Sequence, residues 1–190
     1  MAWVCFHLGV LWGELVPTAQ LILAARWYGK AIEYLPCYVK ARVHLAEIYL
    51  QCQSAKNAED LLIPTLSSGD PEASWRLADV LVATGRFAEA EKQMKAAQSS
   101  FDTLLGKYLL AFADHGAEFY SGSGNDFKRA FELASVNLAN RPTLRAFEQG
   151  YETAVAAGRP GKAAEILGAA KKRWGTTSAF ELSPLAECRV

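Results

Sequence analysis

Two histidines each stand three residues before a carboxylate, His44 before Glu47 and His115 before Glu118. On a helix that interval puts both side chains on one face. Such a pair serves acid–base chemistry, or part of a metal site when further ligands converge. Two more pairs keep the interval without the imidazole: Arg76 with Asp79 and Gln149 with Glu152. A place that accepts imidazole, guanidinium or amide reads as a surface stripe, not as a dyad or a metal centre. No serine or cysteine lies in a nucleophile motif; Cys37 has no base arranged beside it, His7 has no motif around it, and Asp114-His115 stands as a bare pair. Gly122-Ser123-Gly124 lacks the lysine and the spacing of a phosphate-binding loop. No catalytic residue, cofactor or metal is expected.

The elements that carry these pairs repeat along the chain. ARVHLAEIYLQCQSAKNAEDLL, residues 41–62, is followed by EASWRLADVLVATGRFAEAEKQM, residues 72–94, which places Ala46 on Ala78, Tyr49 on Leu81 and Ala58 on Ala90. Self-similarity at a fixed interval marks a stack of helical hairpins. The spacing predicts first helices over 41–51, 71–84, 109–120 and 143–157, and second helices over 56–66, 87–99, 127–139 and 162–174. The segment 100–107 interrupts the rhythm and is expected to lengthen the helix before it. Ser67 to Pro71, Gly85-Arg86, Ser121 to Asp126 and Gly158 to Gly161 supply turn chemistry between them. Residues 17–35 have helical spacing up to the break at Pro36. The chain therefore divides into an apolar N-terminal region with a degenerate repeat (1–36), an array of about four hairpins (37–174) and a covering segment (175–190).

Composition narrows the functional classes. The 190 residues are 51% hydrophobic, and 20 basic residues balance 20 acidic ones. That excludes a disordered chain and gives no attraction for nucleic acid. Lys171-Lys172-Arg173 sits at a helix end, where cations are favourable in any case. The four cysteines are scattered and form no metal-ligand pattern, which fits a reducing, cytoplasmic setting, with Cys52 expected as buried filler. MAWVCFHLGVLWG is too short to span a bilayer and lacks a basic leader, so it is expected to pack as a terminal helix.

Ala78, Leu81, Gly85, Phe87, Ala90 and Ala97, and more loosely Ala46, Tyr49, Ala58 and Ile63, resemble the tetratricopeptide repeat family. Gly158, Ala163 and Ala170 repeat the arrangement; Gly124 and Ala130 do so with one extra residue between them. The resemblance covers roughly residues 38–172. It implies an all-α fold, a right-handed superhelical array of antiparallel hairpins, whose first helices line a concave face that holds a partner segment. There are departures: the first spacing is 32 residues, Gln53 stands where Gly85 stands in the next unit, and Trp75 follows the usual aromatic place by one residue.

Within that face Glu47, Asp79, Glu118 and Glu152 are expected to form an acidic stripe beside His44, Arg76 and His115. Lys40, Val43, Trp75, Asp114, Arg145 and Glu148 are expected nearby. Such a groove suits a protein or peptide partner bearing lysine, arginine or amide groups, with Trp75 as a flat apolar contact. The opposing reading is an internal ion-pair ladder between neighbouring first helices. The family's clamp for terminal carboxylates is not expected, because Val43, Glu47, Trp75 and Asp79 occupy its inward places. A structural homo-oligomer assembled through the apolar N-terminus, with Trp3, Phe6, Val10, Leu11 and Trp12, is the alternative.

Overall fold

The computed structural model describes residues 1–16 and 18–188. Position 17, the expected start of the second helical stretch, and the last two residues of the 175–190 segment lie outside the described residues. Among the described residues every regular element is helical. The chain divides into two compact units, Met1–Ser100 and Phe101–Val190.

In the first unit α1 (Ala2–Val10) runs into a π turn over Leu11–Leu15, and α2 (Leu21–Tyr34) returns antiparallel to it. Gly9 faces the Tyr28 ring and Gly13 faces Ala24; a Cβ on Gly9 would sit 2.4 Å from the ring, so only glycine permits that approach. Helices α3 (Val39–Gln51) and α4 (Ala55–Leu62) form the next hairpin. α4 gives way at Ile63 to a 3-10 segment over Ile63–Ser68, short of the α-helix expected to residue 66. Pro64 has no N–H for the ladder, and that ends the regular helix. Asp70 caps α5 (Pro71–Ala83), accepting from the Glu72 N–H at 3.0 Å. α6 (Phe87–Ser121) begins in this unit.

The hairpin turns share one hydrogen-bond pattern. Ser54 N–H donates to Tyr49 C=O, Arg86 to Leu81 and Arg159 to Ala154, each five residues back. The turn residue preceding each donor is left-handed: Gln53 at φ 58°, Gly85 at 75° and Gly158 at 67°. Glycine adopts this conformation without a Cβ penalty, and glutamine does not. Cys52, beside Gln53, is exposed and not buried filler, because it caps α3 at a hairpin tip.

In the second unit α6 contains one non-helical residue, Tyr108 (φ −139°, ψ 51°), and the chain doubles back there. Phe101 stacks on Phe119 with ring centroids 4.7 Å apart, Tyr120 donates to Asp102, and Leu105 lies against Gly116. Residues 101–107 and 109–121 are therefore antiparallel limbs joined by a tip of one residue. Turn 121–126 leads to α7 (Phe127–Asn140), capped by Asp126, which accepts from the Arg129 N–H. Here the left-handed residue is Asn125 (φ 48°) and not Gly124. Counted from Asn125, Ala130 stands at the same interval as Ala90 from Gly85, so no extra residue intervenes. Gly124 is required for another reason: a Cβ there would sit 2.9 Å from the Phe119 ring.

Helices α8 (Leu144–Ala156) and α9 (Pro160–Trp174) complete the next hairpin. The end of α9 is covered by α10 (Ser178–Glu181) and a short 3-10 turn, whose Phe180 and Leu185 join Phe147, Leu167 and Ala170 in one core cluster. Replacing Gln53 by glycine relieves the left-handed strain against a gain in unfolded-state entropy, leaving a net stabilisation of about 0.5–1 kcal/mol. A higher midpoint in urea unfolding is the expected result; a lower one contradicts this account of the turn.

Candidate functional site

The first-helix face of the first unit is a chain of alternating charges. His44 Nδ1 lies 3.2 Å from Glu14 and 3.5 Å from Glu47. Glu47 also pairs with Arg76, and Arg76 Nη1 lies 3.7 Å from Asp79. The π turn carries Glu14, so the N-terminal hairpin is tied to α3 by the same imidazole. Burial opposes charge on that ring, but the Glu14 and Glu47 carboxylates outweigh it and raise the His44 pKa from 6.5 to about 9. Lys40 reaches Glu72 of α5 at 3.7 Å. Glu47 and Asp79 are thus engaged inside the protein.

Two residues expected on the groove are core residues. Val43 is 1% exposed and packs with Leu62, Leu77 and Val80. A residue adjacent to His44 points about 100° around the helix, which turns Val43 inward. Trp75 is 3% exposed, with the Arg76 guanidinium stacked 3.6 Å from its ring. It is a buried platform for Arg76, not a flat contact for a partner.

The second unit brings the remaining expected residues together around two adjoining cavities. One, of about 310 Å³, is lined by Asp114, His115, Glu118, Asn137, Arg141, Thr143, Arg145, Ala146 and Gln149. The other, of about 400 Å³, is lined by Glu118, Ser121, Arg145, Glu148, Gln149, Glu152, Thr153 and Ala156. Glu118, Arg145 and Gln149 belong to both, so a continuous groove runs along α8 beside residues 109–121. Its far part holds Glu148 and Glu152, one helical turn apart. Glu148 accepts from the Ser183 hydroxyl, and neither carboxylate has an ion-pair partner among the described residues. Burial first, and Glu148 second, raise the Glu152 pKa.

The stripe keeps its place here. The N–H that follows left-handed Asn125, that of Asp126, donates to Tyr120 C=O, as Ser54, Arg86 and Arg159 donate to Tyr49, Leu81 and Ala154. Counting back from those acceptors, His115 takes the place of His44, Arg76 and Gln149, Glu118 that of Glu47, Asp79 and Glu152, and buried Ala117 that of Ala46 and Ala78. The turn itself is longer, with one more residue between Tyr120 and the Asp126 donor.

Beneath the smaller cavity lies a hydrogen-bonded ring that the sequence reading missed. Asn137 donates to Gln149 at 3.2 Å, Gln149 donates to the Asp114 carbonyl at 2.9 Å, and Arg141 Nη2 donates to Asp114 Oδ2 at 2.8 Å and to Asn137 Oδ1 at 3.1 Å. Asn137 is only 6% exposed. Its signal was in the repeat: seven residues after Ala24, Ala90 and Ala163 stand Ala31, Ala97 and Ala170, and seven after Ala130 stands Asn137. A buried amide in an alanine's place costs free energy unless its bonds are made, and here they are made to groove residues. Hydrogen bonding and charge recognition are what this arrangement performs. Among the described residues no group of three His, Cys, Asp or Glu side chains is gathered for a metal, and no helix is long and apolar enough to cross a membrane.

Neither a protein-family model nor a curated protein matches the chain. Among solved structures, TTC0263, a thermophilic TPR protein of Thermus thermophilus, superposes with a TM-score of 0.63 at 16% identity, over 96% of this chain and 95% of that one. The fold is a tetratricopeptide-repeat fold. YrrB, described as a TPR protein with an unusual peptide-binding site, is 20% identical over 84% of this chain and 81% of its own, with a TM-score of 0.44. MamA is 16% identical over 96% of each chain, with a TM-score of 0.45. In tetratricopeptide-repeat terms, the α3 and α5 pair uses its first-helix charges internally, whereas the second unit leaves them lining a groove.

The His44 pairing sets a pH dependence. An imidazole whose folded pKa stands near 9 against 6.5 unfolded contributes fully below pH 6.5, and the contribution is lost as pH rises through about 9. Allowing for its partial exposure, ~2 kcal/mol of stability is expected to disappear across that window. His44→Gln should flatten the profile in urea unfolding measured from pH 6 to 10. An unchanged slope contradicts the ion-pair chain.

Proposed function

We propose that the protein is a non-catalytic interaction scaffold that holds a peptide or helical segment of another protein in the groove along α8. The observation that carries this reading is the pair Glu148 and Glu152, four residues apart on one helix face, facing a cavity and making no ion pair among the described residues. Like charges at that interval repel. A lysine or arginine of a partner relieves the repulsion and gains a desolvated ion pair at the same time. Open cavities lined largely by polar and charged side chains suit the side chains of a bound segment. Neither excess charge nor a basic track recommends nucleic acid.

A second reading places association at the array end. Trp3 is 66% exposed and Leu15 64%, with Val4 and Leu11 between them on α1 and its π turn. A surface this apolar marks an interaction site for a second copy of the chain; sedimentation equilibrium showing a monomer at high concentration removes this reading and leaves the groove.

Selection of random peptides displayed on phage against the folded protein tests the groove. Sequences rich in lysine, arginine or amides are expected. Glu148→Gln with Glu152→Gln should weaken the selected peptides at least about tenfold, a loss of roughly 1.4 kcal/mol, with unchanged helicity. Enrichment of acidic peptides, or affinity untouched by the double variant, contradicts the proposal.

A further inference from the structure

The groove is not uniform along its length. At the α8 start, Arg141 is held through a single nitrogen: Nη2 donates to both Asp114 and Asn137. Among the described residues its Nη1 and Nε have no hydrogen-bond partner, and half of the side chain is open to solvent. Both N–H groups of Nη2 are thereby used, and Nη1 is left to donate a single charge-assisted bond to a carboxylate oxygen of a partner. Toward the α8 end Glu148 and Glu152 make no ion pair among the described residues. Glu118 and Arg145, one of each sign, are common to both cavities.

We infer that the groove reads its partner in one direction, seating an acidic side chain on Arg141 and a basic side chain at Glu148 and Glu152. The inference rests on the reading of this face as a partner groove. From Leu144, where α8 begins just after Arg141, Glu148 and Glu152 lie about 6 and about 12 Å along the axis at 1.5 Å per residue. An acid and a base about four to eight residues apart on a bound helix, or about two to four apart on an extended strand, cover that range. Reversing their order places the carboxylate against Glu148 and Glu152 and the cation against Arg141, so the wrong orientation is penalised at both ends. Asn137 acts through Arg141 as a positioning residue. The buried amide holds the guanidinium from below, and the equivalent alanines of α2, α6 and α9 show that the packing itself has no need of an amide.

The test uses the full chain and synthetic peptides of identical composition, containing one glutamate and one lysine. The two are placed three or seven residues apart, in both orders, and binding is followed by fluorescence anisotropy at low salt. One order is expected to bind about tenfold more tightly than the other. Arg141→Ala should abolish that preference while lysine-dependent binding persists. Asn137→Ala, which restores the residue used elsewhere in the array, should reduce the preference with the fold intact. Arg141→Glu combined with Glu152→Lys should reverse it. Equal binding of both orders, or a preference that survives Arg141→Ala, overturns the inference and leaves the partner groove standing. No binding of any lysine peptide by the folded wild type overturns both.

Discussion

The fold depends on how closely its helices approach. Ala24, Ala58, Ala90, Ala130 and Ala163 are all buried at one place in successive second helices, and Ala46 and Ala78 are buried at their first-helix counterparts. A methyl group lets two backbones come near, and the large side chains on either side, such as Leu62, Leu77, Val80 and Leu81, then fill the remaining volume. Enlarging one of these alanines would force the helices apart, at a cost of about 1–3 kcal/mol. Once that spacing is fixed, the first-helix residues between the hairpins have no freedom over which direction they face. Two departures from alanine, Thr65 and Asn137, sit seven residues further along. Thr65 satisfies its hydroxyl on its own helix, through the Leu62 carbonyl, whereas Asn137 reaches across to α8 and to Arg141.

The same geometry has different consequences in the two units. In the first, guanidinium and imidazole alternate with carboxylates, so each charge is used to join neighbouring first helices. Partly buried ion pairs of this kind specify register as much as they stabilise. In the second, the place corresponding to His44 and Arg76 is taken by His115 and Gln149, and the amide of Gln149 carries no charge. Arg141, which pairs with Asp114, comes from the segment before α8, and Glu148 and Glu152 face the cavity with no ion pair among the described residues. A structural ladder in one unit and a groove in the other follow from a few substitutions at equivalent sites.

Helix existence and order were legible in the sequence because apolar spacing and alanine recurrence report packing directly. Turn detail was less so. Gly124 marked the wrong residue for the left-handed conformation: glycine is needed there for clearance from Phe119, while Asn125 takes the turn. Val43 and Trp75 were misjudged because a single position on a helix changes the facing direction by about 100°, and no repeat of 32 residues fixes that angle unaided. The reversal at Tyr108 has no proline or obligatory glycine to announce it; it is imposed by the packing of Phe101 and Leu105 on residues 116–119. Arg141 and Asn137 escaped notice because one lies in a connection and the other replaces an alanine, and their joint role exists only across three elements.

The central claim is that the partner surface lies along α8 and residues 109–121. Amide hydrogen exchange of the full chain, with and without a saturating lysine-bearing peptide, tests it most directly. Added protection confined to 109–121 and 144–156 is the predicted result. Protection centred on α1, or on α7 and α9 with α8 unchanged, would contradict it.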